Sequence, residues 1–367
     1  MEDRDLDVWH MQRALHLAAG GQGHVEPNPM VGCVIARGAE IIGEGWHRKF
    51  GGPHAEIEAL EIAGDRAEGA TMYVTLEPCC HHGKTPPCTK AILDAGLGRV
   101  VVAMRDPFPE VDGGGIGELR DRGVPVETGL LEVEARNLNA PYLKLLKTGR
   151  PWIIAKWAMT LDGKIASRTG AGRWISNSES RQIVHAIRGR VDGILVGRET
   201  ARRDDPMLTA RPPGPRTALR IVADTHATLA TESLLVQTAR EFPVLVAIGP
   251  SVTDTGRRRL TDLGCEVLVC AGDTPDERLG SLLDQLGERR LTNLLVEGGA
   301  RLLGSLLDMG QIDEVHVFVA PKLIGGAEAL SPIAGEGIEQ MPQALLLDAH
   351  EFRQVGSDLY LHGRVRR

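Results

Sequence analysis

Residues 77–88 read EPCCHHGKTPPC, and residues 53–56, upstream of them, read PHAE. His54, Cys79 and Cys88 offer one imidazole and two thiolates, which leaves the fourth position of a tetrahedral zinc ion open to water, as a catalytic site requires. Such an ion lowers the pKa of its water toward neutrality and makes that water a nucleophile. Glu56 lies two residues beyond His54, near enough to move protons. The pattern, H-x-E followed by P-C and a later cysteine, predicts a zinc-dependent hydrolytic deaminase.

Three further side chains between the two cysteines are alternative metal ligands: Cys80, His81 and His82. Adjacent side chains rarely both reach one ion, so we expect Cys80 to have a structural role. The two histidines are expected to line the pocket or to face water. A purely structural zinc ion would need a fourth protein ligand, and His81 or His82 could supply it.

Length and composition favour a two-domain enzyme acting on a small molecule. The chain has 367 residues, and domains usually have ~100–200. No stretch reaches the roughly 18 apolar residues of a membrane helix, and the acidic start lacks the features of a signal peptide, so a cytoplasmic location is expected. A net charge of −7 argues against nucleic acid as a partner. Six cysteines are too sparse for a disulfide framework, and the crowding of three of them into residues 79–88 indicates a metal site instead.

The apolar pattern predicts an α/β domain before the basic, turn-forming segment at residues 147–151. An opening helix carries apolar residues at 8, 11, 15 and 18, with Asp5 or Asp7 as its cap. Pro141 should break a later helical face. We expect a hairpin of strands at 31–36 and 40–45, a helix to 63, strands at 71–76 and 100–104, and a helix at 89–95 between them. The predicted domains are 1–148 and 149–367.

The second half also alternates strands and helices, which predicts a largely parallel sheet. Ser176 and Glu179 have the spacing of a capping box. Buried strands are expected at residues 152–155, 194–197, 220–223, 244–248, 266–269, 294–297 and 315–319.

A strand, Gly298-Gly299 and a helical run follow one another near the end of this series. Bare backbone N–H groups at a helix start suit a dinucleotide pyrophosphate, although a tight strand-to-helix turn would have the same sequence. The absence of G-x-G-x-x-G argues against a Rossmann domain. The cations remain ambiguous: Lys156 could end a strand or contact substrate, and four arginines could bind a sugar phosphate or face solvent, namely Arg188, Arg202, Arg203 and Arg211.

These motifs resemble the bifunctional riboflavin-biosynthesis deaminase/reductases over nearly the whole chain. In the first half the resemblance lies in PNP (27–29), VGC (31–33), GPHAE (52–56) and residues 77–88, whose long cysteine spacing differs from that of nucleoside and tRNA deaminases. In the second half it lies in KWAMTLDGKIA (156–166), WIS (174–176), DDPMLT (204–209), VEGG (296–299) and residues 313–326. The sequence departs from the family at Phe108, where asparagine is usual, at Thr160, where serine is commoner, and at Gly172, where a polar side chain is common.

The resemblance implies a cytidine-deaminase-like α/β/α domain followed by a dihydrofolate-reductase-like α/β domain. It implies zinc-dependent removal of the 2-amino group from 2,5-diamino-6-ribosylamino-4(3H)-pyrimidinone 5′-phosphate, then reduction of the ribosyl group to ribityl by NADPH, and association of copies through the reductase domain. Candidates for holding the pyrimidine nucleotide in the first site are Asn28 and His47.

For the reductase the resemblance implies one set of residues for the substrate and another for NADPH. The substrate set is Lys156, Gly172 through its backbone N–H, Arg188, Leu208, Arg211 and Glu297. The NADPH set is Ala158, Trp174, Thr200, Asp204, Thr225, Gly299, Ala300, Arg301, Leu302, Leu303, Gly304 and Ser305. An alternative is a nucleoside or tRNA deaminase carrying a non-catalytic nucleotide-binding module.

Overall fold

The structure, a computed structural model, describes residues 3–81, 86–170, 172 and 174–366. The alternative ligand His82 and the motif residue Thr85 lie outside the described residues. The chain divides into two compact units, Met1–Thr148 and Gly149–Arg367. In the described ranges no helix is both long and apolar enough to cross a membrane.

The first unit is a sheet with helices packed on it. Its elements are α1 (Asp3–Ala19), β1 (Gly32–Arg37), β2 (Glu40–Trp46), α2 (Ala55–Ala63), β3 (Thr71–Leu76), α3 (Cys88–Asp94), β4 (Arg99–Met104), α4 (Gly114–Asp121), β5 (Val126–Thr128), α5 (Glu132–Leu138) and α6 (Ala140–Thr148), with a 3₁₀ turn at Gly64–Ala67. The strand order is β2-β1-β3-β4-β5, in which β1 is antiparallel to β2 and β3, and β3, β4 and β5 are parallel.

The predicted elements of this unit are confirmed within one or two residues, including the β1–β2 hairpin and the helix break before Pro141. The expected cap of α1 is wrong, because Asp5 and Asp7 lie inside the helix. Asp7 instead accepts hydrogen bonds from Arg99 (2.9 and 2.7 Å) and from the Tyr73 hydroxyl (2.6 Å), which ties the helix to the sheet.

The second unit is a larger sheet covered on both faces. Its elements are β6 (Trp152–Thr160), α7 (Ser178–Arg188), β7 (Gly193–Gly197), α8 (Arg198–Asp204), β8 (Leu219–Ala223), α9 (Leu234–Gln237), β9 (Val244–Ile248), α10 (Asp254–Thr261), β10 (Glu266–Val269), α11 (Pro275–Glu288), β11 (Asn293–Val296), α12 (Ala300–Asp308), β12 (Ile312–Ala320), β13 (Leu347–Val355) and β14 (Asp358–Val365), with a 3₁₀ turn at Met341–Gln343. The strand order is β10-β9-β8-β7-β11-β6-β12-β14-β13.

The parallel prediction holds from β10 to β12, where each neighbouring pair is parallel. Both faces are buried, since along β7 Ile194 and Val196 join one apolar cluster whereas Leu195 joins another. The antiparallel ribbon of β13 and β14 was not predicted, and β6 extends beyond its predicted end to Thr160. The capping box at Ser176 is wrong, because the Asn177 side chain caps α7 by accepting from the Ser180 N–H.

Candidate active sites

The three predicted zinc ligands meet at the carboxyl end of β3. His54 immediately precedes α2, Cys79 follows β3, and Cys88 is the first residue of α3. His54 Nδ1 lies 3.2 Å from Cys88 Sγ and 3.5 Å from Cys79 Sγ. Hydrogen bonding from Cys88 and His54 lowers the pKa of Cys79 to about 4, so this sulfur is a thiolate, the form that binds metal. One imidazole and two sulfurs converging in this way fit zinc.

Glu56 stands beside these ligands on the first turn of α2. Its side chain is buried, and burial raises its pKa to about 6. Because it also hydrogen bonds with Cys88, its carboxyl group is directed toward the metal ligands. A carboxyl group with a pKa in this range can both accept and release a proton near neutral pH.

Asn28 and His47 form a polar wall next to His54. His47 Nδ1 lies 2.9 Å from the Pro53 carbonyl oxygen, to which it donates, so Nε2 is the acceptor for the Asn28 amide at 3.3 Å. Burial lowers the pKa of His47, which keeps the ring neutral. The His47 and His54 rings meet edge to face at 5.6 Å between centroids. The structure therefore brings both predicted nucleotide residues to the metal ligands.

Glu77 is a buried carboxylate whose role the sequence analysis missed. It accepts backbone N–H groups from Asp106 (3.3 Å), Gly113 (3.0 Å) and Ile116 (3.0 Å), so it holds the segment after β4 against the cysteine loop. The approach is close: a Cβ on Gly115 would lie 2.0 Å from the Pro78 carbonyl oxygen. Its place directly before Pro78-Cys79 was the signal that could have identified it.

The alternative ligands do not join this group among the residues that the structure describes. Cys80 Sγ points to the Glu110 carbonyl oxygen at 3.9 Å. His81 lies 3.7 Å from the Glu110 carboxylate, with its ring 6.2 Å from that of Phe108. Phe108, one of the departures from the family, thus packs near His81 at the rim of the cysteine loop.

In the second unit, two predicted substrate residues pair with each other. Arg188 donates to both oxygens of Glu297, at 2.5 and 2.9 Å, and both side chains are largely buried. Burial alone would raise the pKa of Glu297, but the Arg188 guanidinium outweighs it and lowers that pKa. Lys156 lies within electrostatic reach of both groups, and burial lowers its pKa. The three side chains form a largely buried charged floor between the middle of β6 and the carboxyl end of β11.

The remaining predicted substrate residues have different surroundings. Leu208 is buried in the core with φ 52°, whereas Arg211 is exposed. Burial lowers the pKa of His185, and the charges of Arg188 and Arg211 lower it further. Gly172 has a physical reason to lack a side chain, because a Cβ there would lie 2.9 Å from the Ile165 carbonyl oxygen. Its neighbours Ala171 and Arg173 lie outside the described residues.

A glycine turn precedes α12, whose first turns line a crevice at the carboxyl ends of β8 and β9. Gly298 and Gly299 have φ of 110° and 95°, conformations that L side chains rarely adopt. In the described residues no side chain caps the N-terminus of α12, which leaves backbone N–H groups for an anion. The crevice is lined by Ala223, Asp224, Thr225, Ala247, Ile248, Cys270, Pro275, Arg278, Leu279, Leu282, Arg301, Leu302 and Ser305. Two guanidinium groups, a helix start and an apolar wall fit a phosphorylated dinucleotide such as NADPH.

The predicted NADPH residues are only partly collected there. Four of them line the crevice: Thr225, Arg301, Leu302 and Ser305. Thr200 lies against the glycine turn, which contains Gly299 and is followed by Ala300. Leu303 instead belongs to the core, and Gly304 abuts the Ala334 backbone, since they lie on the opposite face of α12. The others stand elsewhere on the unit: Ala158 on β6, Trp174 exposed beneath the Arg181 guanidinium, and Asp204 exposed at the end of α8.

Both halves of the chain match known families. Residues 4–104 match the cytidine and deoxycytidylate deaminase zinc-binding region, and residues 151–361 match the RibD C-terminal domain. The chain is 42% identical to the riboflavin biosynthesis protein RibD of Actinobacillus pleuropneumoniae, covering 97% of this chain and 94% of that one. It is 38% identical to RibD of Escherichia coli strain K12, covering 97% and 98%.

Solved structures agree over the same length. Acinetobacter baumannii RibD superposes with a TM-score of 0.87 at 36% identity, covering 99% of each chain. The diaminohydroxyphosphoribosylaminopyrimidine deaminase/5-amino-6-(5-phosphoribosylamino)uracil reductase of Thermotoga maritima superposes with a TM-score of 0.84 at 33% identity, also covering 99% of each. Relatives that span both halves disfavour a nucleoside or tRNA deaminase with a non-catalytic appendage.

Proposed function

The chain belongs to the RibD family, the bifunctional deaminase/reductases of riboflavin biosynthesis, and from that premise we propose how its residues divide two successive reactions. Its cofactors are zinc and NADPH. Residues 1–148 carry out the deamination and residues 149–367 the reduction. The substrate of the first step is 2,5-diamino-6-ribosylamino-4(3H)-pyrimidinone 5′-phosphate, in keeping with the deaminase activity for which the Thermotoga maritima relative is named.

In the first site His54, Cys79 and Cys88 would hold zinc, which when bound supplies the Lewis acid that activates water. Glu56 takes a proton as water adds to C2 of the pyrimidine and gives it to the 2-amino group, so that the C2–N bond breaks and ammonia leaves. Asn28 and His47 hold the ring over these groups by hydrogen bonds. The convergence of the three ligands around buried Glu56 is the observation that carries this proposal.

The test is ammonia release by a Glu56→Gln variant, with Glu61→Gln as the matched control on an exposed position of the same helix. General acid–base catalysis contributes ~10²–10⁴-fold, so the Glu56 variant should lose that much rate while it retains its zinc. The control should keep the rate of the unaltered protein. An unchanged rate in the Glu56 variant would overturn its role.

In the second site NADPH supplies the hydride that reduces the ribosyl group when it is bound along the crevice. Thr200, Thr225 and Arg301 contact the cofactor, and the N–H groups after Gly299 bind its phosphates. Glu297 accepts a hydrogen bond from a substrate hydroxyl, while Arg188 keeps the Glu297 carboxylate ionised and oriented. Lys156 offers an ammonium to a sugar oxygen, and exposed Arg211 is available to the 5′-phosphate. The charged floor of Arg188, Glu297 and Lys156 supports this arrangement.

Association of copies through the reductase domain is a further part of the proposal. It rests on the resemblance to the family alone. Light scattering of the full chain beside the separate fragment 149–367 tests it, since both should form the same oligomer. Oligomers of the full chain with a monomeric, folded fragment would contradict it.

A further inference from the structure

A second cluster of metal-binding side chains lies outside both sites. Glu314 and His316 are two residues apart on β12, so their side chains share one face of the sheet. His362 on β14 is the antiparallel register partner of His316, which places its side chain on the same face. Neither proposed reaction uses these residues.

The donor atoms of this cluster are already gathered. Glu314 Oε1 lies 3.0 Å from His316 Nε2 and 2.7 Å from His362 Nε2. The two imidazole rings stack with centroids 4.4 Å apart. In the described residues, this cluster and the one formed by His54, Cys79 and Cys88 are the groups of three such side chains whose ligand atoms lie within 4.8 Å of one another.

Hydrogen bonds with neighbouring side chains fix the orientations of His316 and Glu314. The Tyr360 hydroxyl lies 2.8 Å from Nδ1 of His316, on the side of the ring away from Glu314. Without a metal, Nε2–H of His316 donates to Glu314 Oε1. Metal binding at Nε2 would require the ring proton on Nδ1, where the Tyr360 hydroxyl can accept it, as in metal-bound histidines whose second nitrogen is fixed by a hydrogen bond. The indole N–H of Trp152 donates to the other Glu314 oxygen at 2.9 Å, which turns Oε1 toward the rings.

The charge and donor atoms of the cluster limit which metal ion it could bind. Glu314 and His316 are buried, and Nε of Arg364 lies 4.0 Å from Glu314 Oε2. A site with one carboxylate and two imidazoles suits Zn²⁺ and similar transition ions, whereas Mg²⁺ and Ca²⁺ prefer oxygen ligands throughout. We propose that Glu314, His316 and His362 bind a divalent transition ion that ties β12 to β14.

This ion would lie one strand from the reductase site. His316 is the register partner of Lys156 on the neighbouring strand, so the ion would stiffen the strand that borders the charged floor. The ligands come from adjacent strands, and the ion would replace the two imidazole–carboxylate hydrogen bonds, so the three side chains would have to separate slightly to admit it. Its role is structural, and the ion takes no part in either reaction.

The experiment counts zinc in the full chain after chelation, reloading with Zn²⁺ and desalting. The unaltered protein should hold two equivalents. His362→Gln should hold one, because the amide can still donate to Glu314 but no longer binds metal, and this position is partly exposed, which favours folding. Cys88→Ser should also hold one. His226→Gln, at an exposed histidine of the same unit, is the matched control and should hold two.

Cobalt and a non-ligand variant sharpen the test. Co²⁺ on thiolates gives a strong sulfur-to-metal charge-transfer band, which the Cys88→Ser protein should weaken and the His362→Gln protein should keep. Tyr360→Phe leaves all three ligands in place but frees His316, so it should weaken the second equivalent ~10–100-fold. A single equivalent in the unaltered protein, or two equivalents retained in His362→Gln, would overturn the proposal, with circular dichroism showing that each variant is folded.

Discussion

The deaminase site takes its three metal ligands and Glu56 from residues 54–88, whereas the reductase floor joins Arg188 to a carboxylate 109 positions away. In the first site, short motifs at the ends of β3, α2 and α3 bring the reactive groups together. In the second, the order of parallel strands does so, and the reacting hydride belongs to the cofactor. Substitutions in the first site should therefore reduce the rate of deamination with little effect on the rest of the fold, whereas substitutions in the second should weaken both stability and substrate binding.

Loss of a metal ligand is the largest expected effect. Cys88→Ser should release the deaminase zinc and reduce ammonia release to the uncatalysed background, because no other described side chain completes the ligand set. Reduction of separately supplied deaminated substrate should continue at its normal rate. Zinc content, ammonia and NADPH absorbance measure the three quantities. A parallel loss of reduction in a folded variant would contradict the separation of the two sites.

Removing the charge of Glu297 should weaken both stability and reduction. Breaking a buried ion pair costs ~3–5 kcal/mol, and the amide of Glu297→Gln keeps one acceptor for Arg188, so the lower end is expected. Loss of a charged hydrogen bond to substrate, ~1.5–3 kcal/mol, should slow reduction by roughly 10–150-fold. Deamination should be unchanged. Urea unfolding and NADPH kinetics test this beside Glu288→Gln, an exposed control.

The same residue gives a pH dependence of known sign. Arg188 lowers the pKa of Glu297 below its ordinary 4.5, so the ion pair contributes stability above pH 4.5 and loses it as the pH falls through the lowered pKa. The stability difference between the unaltered protein and Glu297→Gln should therefore shrink in acid. A difference that stays constant from pH 7 to below the ordinary pKa would show that Glu297 is not ionised in the folded protein.

Glu77→Gln should loosen the first unit without removing a metal ligand. The carboxylate accepts three backbone N–H groups on two oxygens, whereas an amide has only one oxygen to accept them. The free energy of unfolding should therefore fall by ~1–3 kcal/mol. The thermal transition of the deaminase unit should fall while that of the reductase unit stays in place. Glu134→Gln, an exposed position of the same unit, is the control. Equal melting of the two variants would show that the carboxylate charge is dispensable.

Gly172→Ser should have the smallest effect. It restores the polar side chain common in the family, but its Cβ would meet the Ile165 carbonyl oxygen at 2.9 Å. Overpacking of this kind costs ~1–3 kcal/mol, and a short shift of the segment should keep it near the lower figure. We expect KM of the reduction step to rise by no more than about tenfold. A lower KM would mean that the hydroxyl, rather than the backbone N–H, is the better substrate contact.

Sequence reasoning predicted the site built from local motifs better than the site built from topology. Motif spacing indicated that His54, Glu56, Cys79 and Cys88 come together, because each lies just before, just after or in the first turn of a regular element. The pairing of Arg188 with Glu297 could not be predicted from the sequence, since their contact depends on strand order. Leu303 and Gly304 were grouped with their neighbours along the chain, although helical periodicity turns them to the core. The cluster of Glu314, His316 and His362 needed β14, a strand that the pattern did not reveal.

An anaerobic assay of the Glu56→Gln protein determines whether the two sites act in order on one substrate. With the diaminopyrimidine ribonucleotide this protein should release ammonia ~10²–10⁴-fold more slowly than the unaltered protein, and its consumption of NADPH should slow to match. With the deaminated nucleotide it should consume NADPH at the rate of the unaltered protein. Consumption of NADPH without prior ammonia release would show that reduction does not depend on deamination. No consumption of NADPH with the deaminated nucleotide by a folded, zinc-loaded sample would show that the second unit does not reduce it.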